Sequence, residues 1–455
     1  MQLELHPEAA KSFNAKAEAL LTKVAPDPNV PRRRPRGSFV PDIVIHEMSE
    51  DAVQEVLATG YVNSLGREIA KTFPHGSGLL GLFGEDYKDL VRLAEAVQKV
   101  KTLRDKVSVE LLTDLIFEWI AGRHSRSTDA QMTGYVLGEC ERRLLELEIW
   151  LPVAMLHIQS DIKIGRVTLR TISKEMIDAW HGPMIERLNS EFGGVEPRAQ
   201  LSLDEERSEL QGLAAATVRL HTEPGRASEI AYEEAEKALA MLRFFSPANR
   251  LPEVVSYCTL LGKEHVEETK ELVVQDGRVI NFSVGPVNPA SPFWTLHNRF
   301  IEEINNAGLV VLSGLLLQEK RTEFQEALLD SLRLYSKCAL AKEPADKLIA
   351  ILVALESMLL KDGNEPIQQN LAERIAFLFE ASAGERLELK RKVIKAYGLR
   401  SSFIHHGRGI STDEMDALRE FMMVAWTSFY ALIRLSHTLE TKGEMFDKIE
   451  EKKMS

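Results

Sequence analysis

A chain of 455 residues exceeds what one ordinary hydrophobic core supports, so its length predicts two or three domains. The formal net charge of −12 argues against a protein that coats nucleic acid through bulk electrostatics. No uninterrupted apolar run approaches 18 residues, the first ten residues lack the apolar core of a secretion signal, and the three cysteines are widely separated. These features predict a cytoplasmic protein with no membrane span and no disulfide framework.

The predicted elements begin with a helix over residues 7–24, followed by an extended stretch. Between Val24 and Asp42 the chain carries five prolines and four arginines, which cannot hold a helix. Residues 1–45 are therefore interpreted as an N-terminal helix with a Pro/Arg-rich linker; a basic arm that contacts RNA is the alternative. Helical periodicity then predicts a helical region over residues 46–126, with helices at residues 50–59, 85–102 and 109–121.

Residues 127–316 are predicted to mix helices and strands. Alternating apolar residues within Leu144–Ile172 indicate a strand pair. The clearest hairpin covers residues 271–284, where Asp276-Gly277 between two β-branched runs supplies the positive φ angles of a tight turn. Helices are predicted over residues 174–190 and 228–245.

From about Leu317 onward the strand signals vanish, so residues 317–440 are predicted to form an all-α domain, followed by a charged tail over 441–455. The predicted helices cover residues 318–340, 345–361, 367–381, 385–404 and 413–438. Asp362-Gly363-Asn364 and Gly384 are predicted to separate helices, and Ser411-x-x-Glu414 is a capping-box pattern. The predicted fold class is therefore α+β and multidomain: a mixed α/β N-terminal and middle region, then a helical bundle.

The candidate catalytic residues lie near the end of this predicted domain. Arg400 is followed by His405 and His406 and then by Gly407. A guanidinium can hold a phosphate and an imidazole can move a proton at neutral pH, although the spacing alone is weak evidence. On an ideal helix Arg400 and His405 lie about 140° apart. A shared site therefore needs a helix that ends near Gly407 or a second protomer.

The surrounding segment is basic against an acidic background. Residues 385–408 contain seven basic and two acidic side chains. Lys392, Lys395 and Arg408 are candidate substrate-binding residues, and a solvated helix face is the alternative interpretation.

Two sequence patterns bear on cofactor and metal binding. Gly76-x-Gly78-x-x-Gly81 matches a dinucleotide-binding pattern formally, but no strand is predicted before it, so it is interpreted as a turn. A His-Glu-x-x-His motif is absent. Neither a metal site nor a cofactor is predicted.

In their order along the chain, these C-terminal residues resemble the Apea-like branch of the HEPN superfamily. Its signature is an Arg, four to six variable residues and a His, typically with a Tyr before and a Gly after. Tyr397 and Arg400 match the first part. His405 fits the four-residue gap whereas His406 adjoins the Gly, so both assignments stay open.

Two upstream positions extend the resemblance. Glu356, within Leu-Glu-Ser-Met-Leu-Leu, resembles the family's acidic residue on an apolar helix, and Arg374 resembles the arginine of its intervening helix. From the residues alone, Arg400 could instead be a structural cation paired with Glu356, and Tyr397 could serve only in packing.

The resemblance implies a homodimer formed through the C-terminal domain. It also implies a metal-independent ribonuclease that acts in stress, phage or other antiviral defence and uses no cofactor. Arg400 with His405 or His406 would be catalytic, and Glu356, Arg374 and Tyr397 supporting. RNA would be the substrate, and the N-terminal region would sense a signal or recruit a protein partner. The alternative is a non-catalytic module that binds RNA or a nucleotide, or a dimerisation scaffold.

Overall fold

The computed structural model describes residues 3–27, 53–57, 60–63, 65–76, 78–192, 197–263, 268–275, 278–286, 293–361, 365–379 and 382–454. The protein is α+β, with 61% helix, 15% strand and a helical C-terminal region, as predicted. Two compact units are present: residues 1–149 with 219–230, and residues 150–218 with 231–455. Most of the predicted Pro/Arg-rich linker, the Asp276-Gly277 turn and the break at residues 362–364 lie outside the described residues.

The helices are α1 (Pro7–Leu21), α2 (Gly84–Gln98), α3 (Val109–His124), α4 (Met132–Arg143), α5 (Lys174–Phe192), α6 (Pro197–Leu210), α7 (Pro224–Arg243), α8 (Asn298–Ile304), α9 (Val310–Leu317), α10 (Glu323–Leu340), α11 (Pro344–Leu359), α12 (Ile367–Leu378), α13 (Ala383–His406), α14 (Thr412–Leu435) and α15 (Lys442–Met454). The strands are β1 (Ala25–Pro26), β2 (Val53–Leu57), β3 (Gly60–Asn63), β4 (Glu68–His75), β5 (Gly78–Phe83), β6 (Leu145–Pro152), β7 (Leu156–Ile158), β8 (Ile162–Ile164), β9 (Val167–Thr171), β10 (Ala214–Thr222), β11 (Glu268–Gln275), β12 (Arg278–Pro286) and β13 (Trp294–Leu296).

The first unit packs α1–α4 with an antiparallel sheet of strand order β1-β5-β4-β3-β2. Phe73 on β4 contacts Phe117 on α3 edge to face, with ring centroids 5.8 Å apart. Both rings are buried, and they join one hydrophobic cluster with Leu82 and Trp119. The sheet thus closes one side of the helical core.

The predicted helical region over residues 46–126 is wrong for the described residues between 53 and 83, which form β2 to β5. Strand β2 (Val53–Leu57) lies within the helix predicted at residues 50–59, whose other residues lie outside the described part of the chain. Apolar residues spaced three and four apart imitate a helix there, but β2 pairs antiparallel with β3, with Val53 opposite Asn63 and Leu57 opposite Gly60. Cross-strand pairing overrides such a short local pattern because strand preference depends on the neighbouring strands.

The formal Gly76-x-Gly78-x-x-Gly81 pattern lies in a hairpin. Strand β4 precedes it, contrary to the sequence expectation, but strand β5 rather than a helix follows. Gly76 has φ of 60°, as a tight connection requires. A Cβ atom at Gly81 would stand 2.2 Å from the Lys71 carbonyl oxygen, so this glycine permits close strand pairing. Its interpretation as a turn agrees with this geometry.

In the second unit, β9 pairs antiparallel with β8 and with β10. The β8–β9 hairpin confirms the strand pair predicted within Leu144–Ile172, and β11 with β12 confirms the hairpin predicted at 271–284. Strand β10 was not predicted, because its Ala-Ala-Ala start has low strand preference. Burial of those alanines makes the strand possible.

The C-terminal helices begin and end close to their predicted limits. Capping boxes open α10, α13 and α14, the last at Ser411 and Glu414 as predicted. Gly384 does not separate two helices: Ser382 caps α13, so Gly384 lies in its first turn. The predicted charged tail forms α15, which buries Phe446 among other apolar side chains.

One helical stretch in the described part of the chain, Asn298–Leu317, has the length and hydropathy of a membrane span. One third of its apolar window is buried within the protein. A π-helix at Asn305–Leu309 interrupts it, and Gly308 there has φ of 123°. Core helices of soluble proteins share this length and composition.

Candidate active site

The Arg–His segment occupies the last turns of α13. The helix ends at Gly407, which has the left-handed conformation (φ 62°, ψ 17°) and donates its backbone N–H to the Phe403 carbonyl at 2.9 Å. This C-cap agrees with the predicted helix end near Gly407. His405 and His406 lie in the final turn, where the helix dipole favours positive charge.

Towards the core, α13 is fixed to α11 through a tyrosine. Val393 and Tyr397 are buried on one face, and the Tyr397 hydroxyl donates to Glu356 Oε1 at 2.7 Å. Burial, reinforced by the Glu356 carboxylate, raises the pKa of Tyr397 well above its ordinary value. The phenol therefore remains a protonated hydrogen-bond donor at neutral pH and positions α13 rather than exchanging protons.

Arg400 lies one turn after Tyr397 on the same side of the helix and is half-buried. Within the described ranges it makes no hydrogen bond and no ion pair. Its charge acts on the Tyr397 phenol, where it opposes the raised pKa. Glu356 bonds to Tyr397 rather than to Arg400. The structural-cation alternative for Arg400, which needed Glu356 as a partner, therefore finds no support in these contacts.

Both histidines are exposed, and neither makes a hydrogen bond to any residue in the described part of the chain. On α13, His405 lies about 140° from Arg400, and His406 lies about 120° from it on the other side. One chain thus places the guanidinium and the two imidazoles at the same helix end, but not on the same helix face.

Arg374, the third supporting residue predicted, has its own partner away from this helix end. It forms two hydrogen bonds with Glu365, each of 2.7 Å, and donates to the Leu359 carbonyl. The guanidinium also covers the Phe446 ring at 4.5 Å. Hydrogen bonds from Arg374 lower the pKa of Glu365 to about 2. Arg374 joins α11, α12 and α15, and these contacts link it to neither Glu356 nor Arg400.

The three predicted substrate-binding cations differ in their partners. Lys392 lies 3.6 Å from Glu388, and Arg408 is bound to Glu414. Hydrogen bonds from Ser411, and then from Arg408, lower the pKa of Glu414 to about 2. Lys395 is exposed and has no ion pair among the described residues. Lys392 also lies 3.8 Å from Glu420, and Glu414 is also bonded to Ser411.

Sequence reasoning missed a surface that we call the α13 stripe, formed by Leu387, Ile394, Gly398 and His405. At about 100° per residue these positions fall within about 40° of one another. Leu387 is 50% and Ile394 49% exposed, and a Cβ atom at Gly398 would meet nothing within 4 Å. The seven-residue spacing of Leu387 and Ile394 was the available signal.

Among the described residues, no three His, Cys, Asp or Glu side chains are grouped so that they could hold a metal ion. All three cysteines are free and buried, and burial raises the pKa of each thiol to about 12. No known protein-family model, curated protein or solved structure matches the chain.

Proposed function

We propose that the protein is a metal-independent endoribonuclease of the HEPN type, with the active site at the C-terminal end of α13. The observation that carries the proposal is Arg400. A half-buried guanidinium with no ion pair in the described part of the chain is suited to bind an anion, and two exposed imidazoles lie at the same helix end.

The proposed reaction needs no cofactor. The ribose 2′-hydroxyl attacks the adjacent phosphorus, a 2′-O–P bond forms and the P–O5′ bond breaks. One imidazole accepts the 2′-hydroxyl proton, and a second imidazole protonates the 5′-oxygen. Arg400 stabilises the negative charge that accumulates on the phosphoryl oxygens. The products are a 2′,3′-cyclic phosphate and a 5′-hydroxyl, so DNA, which lacks the 2′-hydroxyl, is not cleaved.

The proposed dimer forms through the α13 stripe of two copies. Leu387 and Ile394 supply an apolar surface, and Gly398 allows two helix backbones to approach closely. His405 lies on this stripe whereas His406 does not, which favours His405 as the histidine that lies at the dimer interface.

A non-catalytic RNA-binding module is the second candidate. The observation that favours it is the separation of Arg400 from both histidines on α13 in the single chain. In either case residues before the helical domain would sense a signal or recruit a partner, in a role such as phage defence.

Incubation of the purified chain with labelled RNA and matched DNA in excess EDTA tests the catalytic proposal. We expect RNA cleavage with cyclic-phosphate ends and intact DNA. Arg400→Ala and His405→Ala should each reduce the rate about 10²- to 10⁴-fold. Arg299→Ala, an exposed arginine outside α13, and His75→Ala, an exposed histidine elsewhere, are controls that should retain the rate. RNA that stays intact but binds in an Arg400-dependent way supports the second candidate.

Light scattering after size exclusion tests the dimer. We expect Gly398→Arg to give a monomer without cleavage. Gly384→Arg is the matched control, because Gly384 is an equally open position on α13 outside the stripe centre. A Gly398→Arg variant that remains a dimer and cleaves RNA would place the interface elsewhere.

A further inference from the structure

A ladder of aromatic rings leads from the core of the second unit towards its surface. Phe244, directly after α7, is fully buried, and its ring stacks on Trp426 of α14 with centroids 5.7 Å apart and an interplanar angle of 10°. Trp426 in turn stacks on Tyr430 at 5.7 Å and 7°. The Trp426 indole N–H donates to the Phe244 carbonyl at 3.2 Å, which holds the ladder in place. Tyr430, which is half-buried, is its outer ring.

Two arginines flank this outer end. The Arg250 guanidinium lies 5.3 Å from the Trp426 ring centroid. Arg434 is exposed and lies one turn after Tyr430 on α14. Neither side chain forms an ion pair within the described ranges. Glu253, three residues after Arg250, binds Arg419 instead. A positive surface therefore adjoins the outer ring of an acidic protein.

Packing explains only part of this arrangement. Phe244, Trp426 and Arg250 join the segment after α7 to α14. The Tyr430 ring is half-buried and packs on Trp426 from the outer side, and the Arg434 side chain is exposed. The Tyr430 hydroxyl has no hydrogen bond to any described residue. These two side chains are thus free to contact a ligand.

We propose that this face of α14 binds single-stranded RNA, with an unpaired base stacked on Tyr430 and adjacent phosphates bound by Arg434 and Arg250. Stacked aromatic rings beside arginines are the chemistry by which proteins bind unpaired nucleotides without reading sequence. Because the rings are nearly parallel and held in place, the outer ring of the stack can stack with a base. The choice of RNA rests on the proposed function, and the site would hold the substrate strand outside the cleavage centre.

Fluorescence anisotropy with a labelled 2′-O-methyl oligoribonucleotide tests the site, because this probe keeps bases and phosphates but has no 2′-hydroxyl to attack. We expect Tyr430→Ala to weaken binding about 5- to 100-fold, and Tyr430→Phe, the matched control, to retain affinity because the ring remains. Arg434→Ala should weaken binding and reduce the salt dependence by about one phosphate contact. Thermal melting of each variant confirms folding.

Wild-type affinity in both Tyr430→Ala and Arg434→Ala would overturn the proposal, as would a full chain that does not bind the probe. A ten-fold preference for single-stranded DNA over the probe would overturn the assignment to RNA. Cleavage is measured separately. If binding depends on Tyr430 but neither the wild type nor any variant cleaves RNA, the ribonuclease proposal is wrong and the binding site is supported. If cleavage depends on Arg400 but Tyr430→Ala binds the probe with unchanged affinity, the ribonuclease proposal is supported and the binding site is wrong.

Discussion

Two arginines of the helical C-terminal region have opposite surroundings. Arg374, at the junction of α12 and α15, is buried, bidentate to Glu365, bonded to the Leu359 carbonyl and stacked on Phe446. Arg400, near the end of α13, is half-buried and has no hydrogen bond or ion pair within the described residues.

The contrast separates a cation with satisfied hydrogen bonds from one that is available to a ligand. A buried cation is tolerated in a fold when its hydrogen bonds are satisfied, and Arg374 meets that condition inside one chain. Arg400 has no ion pair and no hydrogen bond among the described residues, so its guanidinium is available to bind an anionic ligand. Both were singled out from one family resemblance, yet only Arg374 has contacts that give it a structural role.

The largest stability effect that sharpens this contrast is expected for Arg374→Ala. Removal of the guanidinium leaves the partly buried Glu365 carboxylate without its cation, with hydrogen bonds from only the Lys361 N–H and the Asn370 amide among the described residues, so the free energy of unfolding should fall by about 3 kcal/mol. Arg400→Ala breaks no bond seen in the described residues and should change it by less than about 0.5 kcal/mol. Urea denaturation of both variants measures the difference. Equal losses would erase the distinction between the two arginines.

The next largest effect is a pH dependence of the free energy of unfolding, which arises at the Arg374–Glu365 ion pair. The pKa of Glu365 is lowered from 4.5 to about 2 in the folded protein. Its stabilising contribution is therefore complete above about pH 4.5 and is lost as the pH falls from there through about 2, by on the order of 2–3 kcal/mol. Glu365→Gln removes the titrating group. Urea denaturation at a series of pH values should therefore show that, between pH 5 and pH 2, the free energy of unfolding falls more steeply with decreasing pH in the wild type than in this variant.

A smaller loss is expected for Tyr397→Phe. The substitution deletes the 2.7 Å hydrogen bond to Glu356 but keeps the buried ring, so the free energy of unfolding should fall by about 1–2 kcal/mol. RNA cleavage should fall less than in Arg400→Ala, because Tyr397 positions α13. Comparison of the cleavage rates and melting curves of the two variants checks this. A loss of activity as large as that of Arg400→Ala, without a loss of stability, would make Tyr397 part of the chemistry.

The smallest effect, of opposite sign, is expected for Gly398→Ala. No atom lies within 4 Å of the new methyl group, and alanine favours helix over glycine, so stability should rise by about 0.5–1 kcal/mol. Differential scanning calorimetry at protein concentrations below dimer formation measures the gain. A destabilised variant would show that Gly398 already packs against something within the chain.

Local patterns predicted the helical end of the chain well. Helical periodicity located α10 to α14, and the Ser411–Glu414 pattern located the start of α14, because these signals involve residues three or four positions apart. Local patterns failed at β2, an antiparallel strand that lies within the helix predicted at residues 50–59. Strand pairing depends on residues in another segment, which a helical spacing of apolar side chains does not reveal.

For the candidate site, the sequence by itself determined which residues are candidates for the chemistry and predicted that α13 ends near Gly407. Arg400, His405 and His406 were identified from their types and spacing, and the glycine after them from its left-handed preference. The partner of each charged group was decided only by tertiary structure. Tyr397 donates a hydrogen bond to Glu356, Arg374 binds Glu365, and Arg400 binds neither carboxylate. Those choices depend on how α11, α12, α13 and α15 pack, and packing brings together side chains whose separation along the chain carries no local signal.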